Sequence, residues 1–208
     1  MAQNAGQLAV CHKCHADRPL LLAMDCYARR RRATRPARRR DARTARRLLS
    51  AAAGQNRAMN APAGGLVLEL QWVVNSPRER IFSALTDSAE LARWWGPDGY
   101  TMAEIDLDVR VGGGYRFTMQ PPGGQRFHLS GEFLEIEPPR RLVYTFRYEE
   151  PDPDDRQTVV ALSLDEVGHA TEVSLSHGEF VTEARLELHR SGWRDSFEKL
   201  SELTESSA

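Results

Sequence analysis

Leu66-Val67-Leu68-Glu69-Leu70-Gln71-Trp72-Val73-Val74, followed directly by Asn75-Ser76-Pro77-Arg78-Glu79, decides how the rest of the chain is read. Leu66, Leu68, Leu70, Trp72 and Val74 hold alternate positions, the period of a strand with one buried face. Ser76-Pro77-Arg78-Glu79 has the form of a helix start: a serine that can cap, a proline at the first helical position and a glutamate three residues after the serine. A short helix is predicted from Pro77, turning Ile81, Phe82 and Leu85 inward. Thr86-Asp87-Ser88-Ala89-Glu90 repeats the capping signal. A second short helix is expected from about Ser88 through Leu91 to Trp94 and Trp95, stopped by Gly96-Pro97-Asp98-Gly99.

From Tyr100 the pattern becomes short alternating runs separated by turn residues, which predicts an antiparallel meander of six strands. The first runs from about Tyr100 to Asp108 and leads through Val111-Gly112-Gly113-Gly114 into a second carrying Tyr115, Phe117 and Met119. A third is expected from Arg126 to Ile136, and a fourth from Leu142 to Tyr148 with Leu142, Tyr144, Phe146 and Tyr148 on one face. The acidic loop Glu149 to Asp155 is expected to be solvated. Thr158, Val160, Leu162 and Leu164 mark the fifth strand and Thr171 to His177 the sixth, with Gly168 at the turn between them. Trp193, Phe197, Leu200 and Leu203 then recur at steps of 4, 3 and 3, one stripe of a helix ending near Ser206. Gly192 is expected to separate this helix from a shorter piece, Val181 to His189.

Working outward to the N-terminus, the composition changes. Residues 1–58 carry 14 basic residues against 3 acidic, a balance of +11, whereas residues 59–208 carry 14 against 26, or -12. An acidic domain repels phosphate backbones, so nucleic-acid binding by residues 66–205 is disfavoured. Eleven of the nineteen residues from Arg29 to Arg47 are arginine with no apolar period, and such a segment is expected to be disordered. Its charge would suit a basic arm or a transit peptide. Cys11-His12-Lys13-Cys14-His15 matches the C-x-x-C-H form of haem attachment, and Cys11, Cys14, His15 and Cys26 have the ligand types of a zinc site, but neither has the surrounding sequence or spacing that those groups need. The reading preferred here is a start at Met59, a linker over 59–65 and one domain over 66–205. Leu20 to Met24 is too short for a signal-peptide core and no apolar run reaches 18 residues, so a cytoplasmic chain without a membrane span is expected.

The element order predicted above is that of an α+β helix-grip fold, and short stretches agree with it. Trp94-Trp95-Gly96-Pro97, Asp108-Val109-Arg110-Val111-Gly112-Gly113, Gly131-Glu132-Phe133-Leu134-Glu135-Ile136, Pro138-Pro139-Arg140-Arg141-Leu142 and Gly192-Trp193 occur in order on the expected elements. In these the region resembles the START-like SRPBCC superfamily, most closely the branch similar to the C-terminal domain of the heat-shock protein 90 ATPase activator. The resemblance implies a curved antiparallel sheet wrapped around the long C-terminal helix, with a cavity for apolar molecules between them. It places Trp193 and Phe197 against the sheet.

A strongly bent sheet and a single helix leave interior space unless large side chains close it. The candidates to line that space are Phe117, Met119, Phe133, Tyr144, Phe146, Trp193 and Phe197, with Trp94 and Trp95 at its mouth and His177 as a polar anchor. Asp108 and Arg110 are read as a charge pair across a glycine turn. No nucleophilic mechanism assembles: residues 59–208 lack cysteine, hold one lysine, Lys199, and show neither a Gly-x-Ser-x-Gly elbow nor a glycine-rich phosphate loop. His128, His169, His177 and His189 fall on separate elements without a close ligand pair, so neither metal nor cofactor is expected. The expected function is binding or carrying an apolar or aromatic small molecule, in a stress or detoxification setting. The alternatives are a cyclase- or hydrolase-like enzyme using the same cavity and a co-chaperone. A chaperone and a second copy of the chain are the alternative partners.

Overall fold

The computed structural model describes residues 65–205; the Arg-rich segment, its cysteines and the expected start at Met59 lie outside the described residues. The elements run β1 (Leu66–Val74), α1 (Arg78–Thr86), α2 (Ser88–Trp94), β2 (Thr101–Leu107), β3 (Gly114–Gln120), β4 (Phe127–Glu137), β5 (Arg141–Tyr148), β6 (Thr158–Val167), β7 (Ala170–Phe180) and α3 (Glu183–Glu205). Each strand expected from alternation is present.

All seven strands form one antiparallel sheet in the order β1-β7-β6-β5-β4-β3-β2, so the first strand closes onto the last and the other strands follow as a meander. The alternation in β1 has the consequence that its pattern predicts: Leu68 and Val74 are buried whereas Val67 and Val73 are exposed. Glycine at 131 lets the Tyr115 ring and the Thr145 carbonyl lie close over the strand. A Cβ there would stand 1.8 Å from the Thr145 carbonyl oxygen and 2.6 Å from the Tyr115 ring, so only a residue without one fits beneath that ring, whose hydroxyl donates to Thr145 O at 2.8 Å.

Two helix expectations are corrected. Ser76 does not cap α1: the cap position is Pro77, without a side-chain bond, and the Ser76 carbonyl instead accepts the buried Thr171 hydroxyl at 2.8 Å, which ties the β1 exit to β7. The second capping signal holds, with Asp87 accepting from the Glu90 N–H at 2.9 Å. Gly192 does not divide the last helix, and α3 is continuous over 23 residues. Its buried stripe of Leu186, His189, Trp193, Phe197 and Leu200 packs on β1 and β7 and against α1 and α2, and that burial outweighs the roughly 1 kcal/mol that one glycine costs a helix interior.

Candidate functional site

Between the concave face of the sheet and α3 the aromatic side chains close most of the space. What remains is a hollow of about 50 Å³ lined by Trp95, Met119, Phe127, Leu129, Phe146, Tyr148, Leu188, His189 and Trp193, together with Gly96, Pro97, Gly192 and Ser196. A smaller hollow of about 20 Å³ lies beyond it, lined among others by Trp94, Trp95, Phe117, Phe133 and Tyr144. The larger one has room for a few waters and falls short of the roughly 150 Å³ that accommodates benzene.

Trp95 borders both hollows. Its indole meets Phe117 at 5.4 Å, Phe146 at 6.4 Å and Trp193 at 6.4 Å between ring centroids. The ring is a partition and stays partly exposed. Trp94, expected beside it at a mouth, is instead core: it is 1% exposed and its indole N–H donates to Ala84 O at 2.8 Å, bracing α2 on α1.

The chain leaves α2 at Trp95 and turns at Gly96, whose φ of 98° lies in the left-handed region open to glycine. Side chains of α3 clamp that turn. Ser196 Oγ accepts the Gly96 N–H at 3.0 Å and Lys199 Nζ donates to Gly96 O at 2.7 Å. Asp195, itself buried, accepts the Asp98 N–H at 3.3 Å. The partition is therefore anchored at its backbone, and any opening falls to the Trp95 side chain.

His177 was assigned as a polar anchor in the cavity, and the structure places it deeper, fully buried behind Trp193. The Trp193 indole N–H donates to its Nδ1 at 3.0 Å, so the proton sits on Nε2, which faces Thr158 Oγ1 at 2.9 Å. Phe197 lies on the same side, between Trp193 and Trp72. His189 reaches the hollow instead. Its Nδ1 stands 2.8 Å from the Arg185 carbonyl and must carry the proton, which leaves Nε2 facing the Tyr148 hydroxyl at 3.3 Å. The two imidazoles, on separate elements as expected, are 5.1 Å apart between centroids. Burial lowers both: His177 falls well below its ordinary value, and His189 falls to about 4, the Arg185 charge adding to the effect. Both are neutral at pH 7. Tyr148 keeps its proton, because burial raises its pKa and the charge of Asp155 adds to the rise.

One further group was missed. Arg185, at the start of α3, is buried and forms ion pairs of 2.7 Å with Asp152 and with Asp155. The loop expected to be solvated thus turns two of its carboxylates inward, drawn by a guanidinium that would otherwise be desolvated and unpaired. The expected pair of Asp108 with Arg110 is present at 2.9 Å. Among the described residues no cluster of His, Cys, Asp or Glu has metal-binding geometry, and no helix is long and apolar enough to cross a membrane.

The architecture is an α+β helix-grip fold, a curled antiparallel sheet against one long C-terminal helix. The family described as activator of Hsp90 ATPase homolog 1-like protein matches residues 75–205, and the chain belongs to that family, within the START-like SRPBCC fold. It is similar to the crystal structure of a Chromobacterium violaceum protein (26% identity, TM-score 0.63, covering 67% of this chain and 96% of that one). It is also similar to that of the AHSA1 protein from Silicibacter pomeroyi (27% identity, TM-score 0.61, covering 69% and 100%). A Nitrosomonas europaea protein matches at 25% identity with a TM-score of 0.57 over 68% of this chain and 96% of that one. No curated protein matches the chain.

Proposed function

We propose that this chain binds a small aromatic molecule between the sheet and α3, with the Trp95 indole as the wall that moves to admit it. One observation carries the reading: a partly exposed tryptophan stands between two apolar hollows that its own departure would join. A rigid core would have buried that ring fully, as it does Trp94. Of the candidate residues, Trp95, Met119, Phe146 and Trp193 would meet the ligand first. Phe117, Phe133 and Tyr144 would meet it only once the hollows merge, and Trp94, His177 and Phe197 would act as support behind them.

Toluene titrated into the wild-type protein tests this through the four indole N–H resonances. Trp95 and Trp193 are expected to shift in a saturable way, while Trp72, hydrogen-bonded to Ser201 at 3.1 Å, and Trp94 stay in place. No saturable shift at Trp95 with either toluene or p-cresol, up to the solubility of each, would sink the reading. Native mass spectrometry of freshly purified protein would show in addition whether an endogenous ligand travels with it. The chaperone alternative is supported by the family's description alone, and a pull-down with the chaperone tests it.

A further inference from the structure

The larger hollow is apolar except at a few places. Ser196 is committed to the Gly96 turn: it accepts the Gly96 N–H, and its own hydrogen lies between Gly192 O at 2.8 Å and Gly96 O at 3.2 Å. Tyr148 and His189 are not committed in this way. His189 cannot rotate its roles, since Nδ1 is held to a backbone carbonyl, and the only partner of its Nε2 lone pair among the described residues is the Tyr148 hydroxyl. That contact, at 3.3 Å, is longer than hydrogen bonds of this kind usually are. The Tyr148 oxygen has two lone pairs and accepts no hydrogen bond from the described residues. The pair therefore offers one underused acceptor nitrogen, one acceptor oxygen and one hydroxyl donor at the edge of an apolar space.

The charges around it decide what it can take. The nearest cation, Arg185, lies over the Tyr148 ring at 5.9 Å, but its charge is matched by Asp152 and Asp155. Beyond the pair lies a third hollow, lined by Tyr148 and His189 on one side and by Asp154, Asp155, Arg156 and Glu179 on the other. A carboxylate entering the larger hollow would lose water and meet no cation in its lining, while at the third hollow Arg156 donates to the Glu179 carbonyl at 2.7 Å and stands among three carboxylates. An ammonium would find no carboxylate in the apolar hollow.

We infer that the ligand is an uncharged aromatic bearing a hydroxyl group, which Tyr148 and His189 receive at one end of the hollow. The ring lies against Phe146 and Trp193 and takes the place of the Trp95 indole. Its hydroxyl donates to His189 Nε2 and accepts from Tyr148, inserting itself into a hydrogen bond longer than usual for such a pair. This rests on the binding reading above and adds the chemistry of the ligand to it.

Toluene, p-cresol and p-toluate, which share one methylated ring and differ in the para substituent, separate the two claims at pH 7.5. With a receiving pair, p-cresol binds about fivefold tighter than toluene, the worth of one net hydrogen bond, and p-toluate binds weakest. Without a partner the hydroxyl is a burden, and p-cresol binds no better than toluene. Changing both receiving groups together, Tyr148→Phe with His189→Leu, is expected to abolish the preference for p-cresol, read as the ratio of the two affinities in the same protein. In the wild-type protein p-cresol, but not toluene, is expected to shift the His189 Nε2 nitrogen resonance, a readout that decides the matter even where the variant misfolds. Equal affinity for toluene and p-cresol, or tighter binding of p-toluate, overturns this inference and leaves the binding reading standing. Failure of both toluene and p-cresol to bind removes both.

Discussion

The indole N–H of Trp193 donates to Nδ1 of His177 at 3.0 Å, and this one bond fixes the direction of a chain that crosses the core. Because Nδ1 accepts, Nε2 carries the hydrogen and gives it to Thr158 Oγ1, whose own hydrogen points to Phe146 O at 3.3 Å. Helix α3 is thereby stitched to β7, β6 and β5 by polar contacts in a region otherwise made of aromatic rings. A proton added at Nδ1 would leave two N–H groups facing each other.

Trp193→Phe keeps an aromatic ring in place but withdraws the donor, leaving Nδ1 of His177 buried without a partner. The expected loss is about 2–4 kcal/mol, combining the unmet acceptor with the volume removed. Urea unfolding of the variant would measure it. A loss below about 0.5 kcal/mol would mean that the hydrogen-bond chain contributes nothing.

Acidification should weaken the fold in a defined window. In the unfolded chain the two histidines take up protons near their ordinary value of about 6.5. The folded protein refuses them, His189 until about pH 4 and His177 until lower still. Below pH 6.5 the unfolded state therefore binds more protons, and stability falls on the order of 1 kcal/mol per pH unit for each histidine until the folded values are reached. Asp155 works in the opposite direction, because burial raises its carboxyl. Urea midpoints at pH 7.5, 6 and 5 are expected to decline in that order, and His189→Gln, which keeps a hydrogen-bonding side chain without the titration, is expected to flatten the decline.

In the lining of the hollow, a methyl group added at Gly192 would stand 3.5 Å from Pro97 Cγ, an ordinary contact. Gly192→Ala is expected to stabilise the protein by about 0.5–1 kcal/mol through helix propensity alone. The same methyl narrows the passage between α3 and the Gly96 turn, so toluene affinity should fall severalfold while the melting temperature rises. A variant that is stabilised and binds toluene as the wild type does would show that entry lies elsewhere.

Arg185→Met removes a cation from between two buried carboxylates. The expected cost at pH 7 is about 3–5 kcal/mol, since the unpaired acids and not the missing bonds dominate. The cost should be smaller at pH 5 than at pH 7, because burial raises the Asp155 carboxyl and lets it take up a proton, and comparison with the wild type at each pH separates this from the histidine effect. An equal cost at both pH values would argue against the burial of the two acids.

Much of this was legible in the sequence because strands with one buried face advertise themselves by period. Leu68 and Val74 in β1, and Val160, Leu162 and Leu164 in β6, are buried as their alternation requires. The signal for His189 was also present, since it stands four residues before Trp193 and therefore on the stripe that continues to Phe197. Its nearness to His177 was not legible, because that depends on how α3 is seated on β7, a relation between elements that no local pattern encodes. The same holds for Asp152 and Asp155, which lie in a run that composition marks as solvated until Arg185, thirty residues later, draws them in. Trp94 and Trp95 could not be told apart by period, and only the end of α2 between them sends one ring into the core and leaves the other as a partition.

The unbroken course of α3 sets a timetable for isotope exchange at the backbone. Its middle turns, around Trp193 to Leu200, are buried against β1, β7 and the two short helices, so their amide hydrogens have no local route to solvent and should wait for the whole molecule to open. Strand β2, at the free end of the sheet with no residue fully buried, should trade its hydrogens orders of magnitude sooner. The helix that carries the Gly96 clamp and the His177 stitch would then be the last part of the protein to learn that the solvent has changed.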